Sequence, residues 1–303
     1  MSKAKLIVIT GQTATGKTKL AANIAGLLNG EVISADSRQV YKHMNIGTGK
    51  DLDDFVINDI NIPFHLINIC EPGEEYNIFR YQNDFIKVYE DITSRGKQPV
   101  LCGGSGLYVE SVLKNYKLIN VPVNDILRNE LSDKTDEELA DILNQFTTPH
   151  NITDVMYRKR LIRAIEIAVY QTENDVDEQI PELEYVIFAI RFDRDRLKKR
   201  ITDRLRARFE EGMVDEAKKL LDMGVSKEKL IYYGLEYKYL AEYLDGQYNY
   251  NDMFQKLNSS IHRFSKRQMT WFRRMEKNGI GINWIDGDLS MEEKINLVLK
   301  KLK

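Results

Sequence analysis

The amino-acid sequence predicts an α/β protein: a parallel sheet with helices on both faces, interrupted by a helical insertion. Three observations lead there. The first hundred or so residues alternate short apolar runs with helical patterns, as strands joined by crossover helices do. Residues 121–179 change character and become strand-poor, highly charged and helical, with Pro122 and Pro149 inside. At 185–190 the run Tyr-Val-Ile-Phe-Ala-Ile resumes the pattern of a buried strand. We therefore read 1–120 and 180–303 as the core and 121–179 as an insertion between two elements of one sheet.

Taken in order, the first strand is Leu6-Ile7-Val8-Ile9. It leads into Gly11-Gln12-Thr13-Ala14-Thr15-Gly16-Lys17-Thr18, a G-x-x-x-x-G-K-[ST] phosphate loop. Apolar Leu20, Ala21, Ile24, Leu27 and Leu28 then mark one helix face. In that order the loop amides, the helix N-terminus and the Lys17 ammonium converge on one small volume. A di- or triphosphate fills such a volume, with the Thr18 hydroxyl on a bound Mg²⁺. The core is thus expected to be P-loop NTPase-like. The loop does not reveal whether the phosphate belongs to a nucleotide.

Gly30 breaks the chain, and residues 31–35 read as a second strand ending at Asp36. Residues 64–69 form a weaker extended segment. A helix is expected from Asn77 to Arg95, with Tyr81, Phe85, Val88 and Ile92 on one face and Gly96 ending it. Pro99-Val100-Leu101-Cys102 is a third strong strand, followed by Gly103-Gly104-Ser105-Gly106 and another helix. Beyond 190 the chain reads as chiefly helical: one long helix or two short ones over 196–223, another over 250–278, and a last one opening on the capping pair Ser290 and Glu293. Ligands of parallel sheets sit at the carboxyl ends of the strands. Three such ends carry suggestive chemistry: 11–18, Asp36 and 103–105.

The 303 residues are 43% apolar and 30% charged, as in a globular protein, and no apolar run is long enough to span a bilayer. The run after Lys3 and Lys5 is too short for a secretory leader. Cys70 and Cys102 provide neither a disulfide framework nor zinc-ligand spacing, so a reducing, cytoplasmic location is expected. The sequence does not fix the oligomeric state, and a monomer is the default expectation. Net charge is only −2, yet residues 191–208 hold nine Lys/Arg against three Asp. Arg158, Lys159, Arg160 and Arg163 form a second basic cluster, and Arg263, Lys266, Arg267, Arg273, Arg274 and Lys277 a third. Such clusters are either a footprint for a phosphate backbone or solvated helix faces.

An Asp ending a strand beside a phosphate loop holds Mg²⁺, caps the next helix or acts as a general base. The surroundings of Asp36 are polar and loop-like, where a metal-holding Asp follows an apolar run, and this favours the base. The glycine-rich turn 103–106 adds amides and a hydroxyl to the same cleft.

This order of motifs resembles the tRNA dimethylallyltransferase (isopentenyl-tRNA transferase) family. The phosphate loop, then Ser34-Ala35-Asp36-Ser37-Arg38-Gln39-Val40-Tyr41, then Gly103-Gly104-Ser105-Gly106-Leu107-Tyr108 carry the likeness. So do Arg160-Leu161-Ile162-Arg163-Ala164-Ile165-Glu166 and Arg263-Phe264-Ser265-Lys266-Arg267-Gln268-Met269-Thr270-Trp271-Phe272-Arg273, so that it spans 6 to about 275. The resemblance implies transfer of a dimethylallyl group from dimethylallyl diphosphate to N6 of the adenosine 3′ of the anticodon, position 37. It implies that residues 11–18 and Mg²⁺ hold the diphosphate, with Arg204 and Arg200 reaching it. Asp36 would be the base and Ser105, where the family usually has Thr, would lie at the reacting centre. The tRNA would lie on Asp36, Ser37, Arg38, Gln39, Arg128, Lys159, Arg160, Arg163, Lys266 and Arg267, with the insertion clasping the anticodon arm. Leu235 stands where the family has Tyr, with Tyr237 two residues on. The tyrosines from 232 to 250 are either base-stacking groups or ordinary helix packing.

Three rivals remain. An ATP-dependent small-molecule or nucleotide kinase explains the loop and the insertion, but leaves the two later basic blocks unused. An adenylate isopentenyltransferase needs neither the insertion nor Lys266-Arg267. A non-catalytic RNA-binding switch does not need Asp36.

Overall fold

The computed structural model describes residues 5–116, 118–146, 158–174 and 182–302. Two compact units emerge: Met1–Tyr116 with Pro181–Lys303, and Lys117–Ile180. Pro149 and the 179/180 boundary lie outside the described residues.

The larger unit is built on β1 (Leu6–Gly11), β2 (Gly30–Ser34), a small antiparallel hairpin of β3 (Val56–Ile57) and β4 (Ile60–Asn61), β5 (Phe64–His65), β6 (Gln98–Gly103), β7 (Tyr185–Arg191) and β8 (Ile282–Asp286). Six of these form one sheet in the order β5-β2-β6-β1-β7-β8, with every neighbouring pair parallel. Strand alternation sets the layers. Ile7 and Ile9 of β1 pack with Leu20 and Ile24 of α1 (Lys17–Leu27) on one face. Leu6 and Val8 point the other way, toward Phe85 of α2 (Ile78–Ser94) and Val109 of α3 (Gly106–Leu113). Burial on both faces is why β1, β6 and β7 read as unbroken apolar runs.

Three details depart from the sequence expectations, and one open alternative is settled. Gly30 belongs to β2, and the turn falls on Asn29, at φ 51°. A Cβ at Gly30 would lie 3.1 Å from Gln98 Cβ and strike the Gln98 carbonyl, so the glycine serves close strand approach. Only Phe64 and His65 of the 64–69 segment pair, because Leu66 and Asn68, at φ 60° and 57°, turn the chain away. Of the two alternatives for 196–223, the chain takes the two-helix one: α7 (Arg194–Glu210) and α8 (Met213–Asp222), separated at Gly212 with φ 97°. The edge strand β8 falls in a region read as helical, since five residues of which only Ile285 is buried leave little periodic signal.

The smaller unit contains α4 (Asp125–Leu131), α5 (Asp136–Phe146) and α6 (Arg158–Glu173). Leu131, Leu139, Leu143, Leu161 and Ile165 form its core. Glu166 is its polar hub, accepting from Asn124 N at 2.9 Å, Arg128 Nε at 2.8 Å and Arg163 Nη1 at 3.0 Å. Burial alone would raise the Glu166 pKa; the hydrogen bonds from Arg128, Asn124 and Arg163 win and hold it at about 2. Its contribution is therefore complete above the ordinary carboxylate range and is lost as pH falls toward 2. Glu166→Ala should cost about 2–3 kcal/mol. The expected readout is earlier exchange of the Asn124 and Leu127 amides; unchanged protection would refute this account.

Candidate active site

The phosphate loop joins β1 to α1 at the carboxyl edge of the sheet. Gly11 closes β1 at φ 144°, and a Cβ there would meet Ile190 O at 2.7 Å. Ala14 and Gly16, at φ 61° and 81°, fold the loop back, and Thr15 Oγ1 donates to Gln12 O at 2.8 Å. The Lys17 ammonium donates to Gln12 O at 3.1 Å. Burial pushes its pKa below the ordinary lysine value, Arg204 adds to that, and Cys102, Asp36 and Asp51 oppose it. Thr18, the expected Mg²⁺ residue, follows in the first turn of α1 and lies beside Cys102.

Asp36 follows β2, and its Oδ1 accepts the Arg38 N–H at 2.9 Å, which shapes the turn. Ser37 is half-buried, and the Arg38 guanidinium lies 5.1 Å from the Tyr232 ring centre. Gln39 accepts from Ser34 Oγ at 3.1 Å and donates to Gly49 O at 3.1 Å, tying β2 to the 45–50 loop. Ser105 stands at the N-cap of α3, yet its hydroxyl makes no capping bond. On α7, Arg200 Nε donates to Ala14 O at 2.8 Å, while Arg204 pairs with Asp51 and lies 3.4 Å from Gly49 O.

The third wall comes from α11 (Tyr250–Lys277), which follows the short helices α9 (Lys227–Tyr232) and α10 (Leu235–Leu244). Gln268 accepts the Thr13 N–H at 2.9 Å and donates to Gly104 O at 2.8 Å. Gln12 Nε2 donates to Ser265 O and Oγ, both at 2.9 Å. One helix thus stitches the phosphate loop to the glycine-rich turn. Its other face exposes Lys266 and Arg267. Sequence reasoning took the two cations from this block and missed the struts. The i, i+3, i+7 spacing of Ser265, Gln268 and Phe272 was the available signal.

In the smaller unit, Arg128 and Arg163 are engaged with Glu166, and Arg163 Nη2 also donates to Val121 O at 2.5 Å. Lys159 and Arg160 are exposed.

The IPP transferase profile matches residues 39–275, and an isopentenyl transferase profile matches 4–59. The chain is 53% identical to tRNA dimethylallyltransferase 2 of Bacteroides fragilis, covering 98% of each chain. It is 52% identical to tRNA dimethylallyltransferase 1 of Parabacteroides distasonis over 100% of this chain and 99% of that one. The chain belongs to the IPP transferase family. Among solved structures, the tRNA isopentenylpyrophosphate transferase of Bacillus halodurans superposes with a TM-score of 0.71 at 32% identity, over 99% of this chain and 96% of that one.

Within this family the chain's own 234–237 block acquires a physical role. Tyr237 is buried, and its hydroxyl donates to Glu216 Oε1 at 2.6 Å. The same carboxylate accepts the N–H groups of Asn45, Ile46 and Gly47 at 2.7, 2.8 and 2.8 Å. A Cβ at Gly47 would lie 2.6 Å from Tyr237 Cζ. Tyr237 therefore packs and braces the 45–47 loop, and Leu235 joins the main core. Tyr233 is likewise buried, Tyr239, Tyr243 and Tyr248 are partly buried against that core, and Tyr232 and Tyr250 are exposed. Packing accounts for most of this tyrosine cluster.

Proposed function

We propose that this IPP transferase family member moves the dimethylallyl group of dimethylallyl diphosphate to N6 of adenosine 37, 3′ of the anticodon, in tRNA. The observation that carries the reading is the pair of hydrogen bonds by which Gln268 accepts from Thr13 N–H and donates to Gly104 O. The helix that exposes Lys266 and Arg267 is thereby fixed to the diphosphate loop, so an RNA backbone on its outer face registers directly with the donor. A kinase or an adenylate-directed enzyme has no need of that coupling.

In this reading the loop amides, Lys17 and Arg204 hold the diphosphate, and Arg200 fixes the loop through Ala14 O. As N6 attacks the allylic carbon, the N–C bond forms, the C–O bond to diphosphate breaks, and Asp36 takes the proton from the amine. Ser105 offers its hydroxyl to the reacting nitrogen. A base inside a stacked loop cannot reach this cleft, so the adenine is flipped out. Among the described residues no group of three or more His, Cys, Asp or Glu is gathered for a metal. Mg²⁺ beside Thr18 would take that hydroxyl, phosphate oxygens and water, a ligand set this small hard cation accepts. When bound it neutralises charge on the departing diphosphate.

The insertion, with exposed Lys159 and Arg160, clasps the anticodon arm, and Arg128 and Arg163 keep its fold through Glu166. Buried free thiols at Cys70 and Cys102 suit a reducing cytoplasm, and we read the chain as acting as a monomer. No helix among the described residues is long and apolar enough to cross a membrane.

Incubation with labelled dimethylallyl diphosphate and unmodified tRNA tests this. Label should appear in tRNAs with adenosine at position 37. ATP consumption without prenyl transfer, or label on free AMP alone, would overturn it.

A further inference from the structure

α7 presents Arg200, Arg204 and Arg208 at i, i+4 and i+8, one above another on a single helix face. The first two have acceptors, in Ala14 O and in Asp51 with Gly49 O. Arg208 differs. It is 9% exposed, and its paired carboxylate, Glu236 Oε1, stands 3.9 Å away. Among the described residues none of its N–H groups meets a hydrogen-bond acceptor. A guanidinium carries five donors, and the small exposed remainder of Arg208 keeps its unpaired ones accessible to a ligand. Burial, and then the adjacent charge of Arg204, push its pKa down to about 10, so it still carries its proton at neutral pH.

The backbone makes room for this cation. Gly49, at φ 65°, lies against the Arg208 guanidinium, and a Cβ there would collide with it and come within 2.9 Å of Arg204 Nη2. Two guanidiniums thus converge on one glycine at the rim of the site. The local carboxylates do not balance them: Asp51 is taken by Arg204, and Glu236 is too distant to hydrogen-bond. A cation retained only for Glu236 would be expected to close that distance.

We propose that Arg208 is a phosphate-binding residue, the outermost of the three-arginine row, donating to the distal phosphate of the donor's diphosphate. The inference rests on the diphosphate reading of the site. An RNA phosphate offers the same chemistry, and the experiment separates the two sources.

The test uses the full chain with Arg208→Met and Arg208→Lys, melted with and without Mg²⁺ and inorganic diphosphate. Affinity is measured in parallel for diphosphate and for an anticodon stem-loop RNA. Arg208→Met should melt no lower than wild type without ligand, yet bind diphosphate about tenfold more weakly, with a smaller ligand-induced melting shift. Arg208→Lys should fall between them, and RNA affinity should stay unchanged. Weakened RNA binding with unchanged diphosphate affinity would overturn the donor assignment and give the phosphate to the RNA. Unchanged affinity for both ligands would overturn the proposal, and a lower ligand-free melting point beside it would make Arg208 a structural counter-ion of Glu236. If wild type itself binds no diphosphate, the site reading fails, independently of Arg208.

Discussion

Asp36→Asn is expected to slow prenyl transfer by about 10³-fold while tRNA affinity changes by less than about twofold. The amide keeps the oxygen that accepts the Arg38 N–H at 2.9 Å, so the turn that presents residues 36–39 should survive. What it removes is the group that takes the proton from N6 in the proposed mechanism. Single-turnover rates with enzyme saturated in both substrates, beside tRNA binding by filter retention, separate chemistry from binding. A parallel loss of both would mean that Asp36 shapes the tRNA surface and is not the base. A rate within tenfold of wild type would leave the proton to another group.

Lys17→Met should lower the transfer rate by about 10²–10³-fold and weaken diphosphate binding as well. The reason is position: in the proposed mechanism a partly buried cation inside the loop faces the developing charge of the leaving group with less solvent screening than a surface lysine. tRNA affinity should be nearly untouched, because Lys17 lies under the loop and not on the exposed face of α11. Diphosphate affinity and rate should fall together. A variant with normal diphosphate affinity would remove Lys17 from the grip.

Local chemistry made much of this protein legible. The phosphate loop needs two backbone turns, at Ala14 and Gly16, followed by a helix N-terminus, and a run of eight residues encodes all of that. The doubly buried strands declared themselves as apolar runs, and α2 lies within a residue of its expected ends because Asn77 caps it and Gly96, at φ 67°, follows its close. Weak local signals produced the misses. β8 is short and half-solvated, β5 pairs through two residues, and Gly30 looks the same in sequence whether it breaks a strand or lets two strands approach.

The candidate site divides along the same line. Gly11 to Thr18, Asp36 and Ser105 announce themselves at strand ends. Gln268, Glu216 and Arg208 do not, because each acts on a partner 150 or more residues away: Gln268 on Thr13 and Gly104, Glu216 on residues 45–47, and Arg208 on Gly49. The sequence by itself determined that a parallel α/β core carries a phosphate-loop motif at the end of its first strand, since a loop's dihedrals and a strand's periodicity are local properties. Only the tertiary structure decided which side chains of the later helices brace that loop, because hydrogen-bond reach across a fold is set by packing and leaves no periodic trace along the chain.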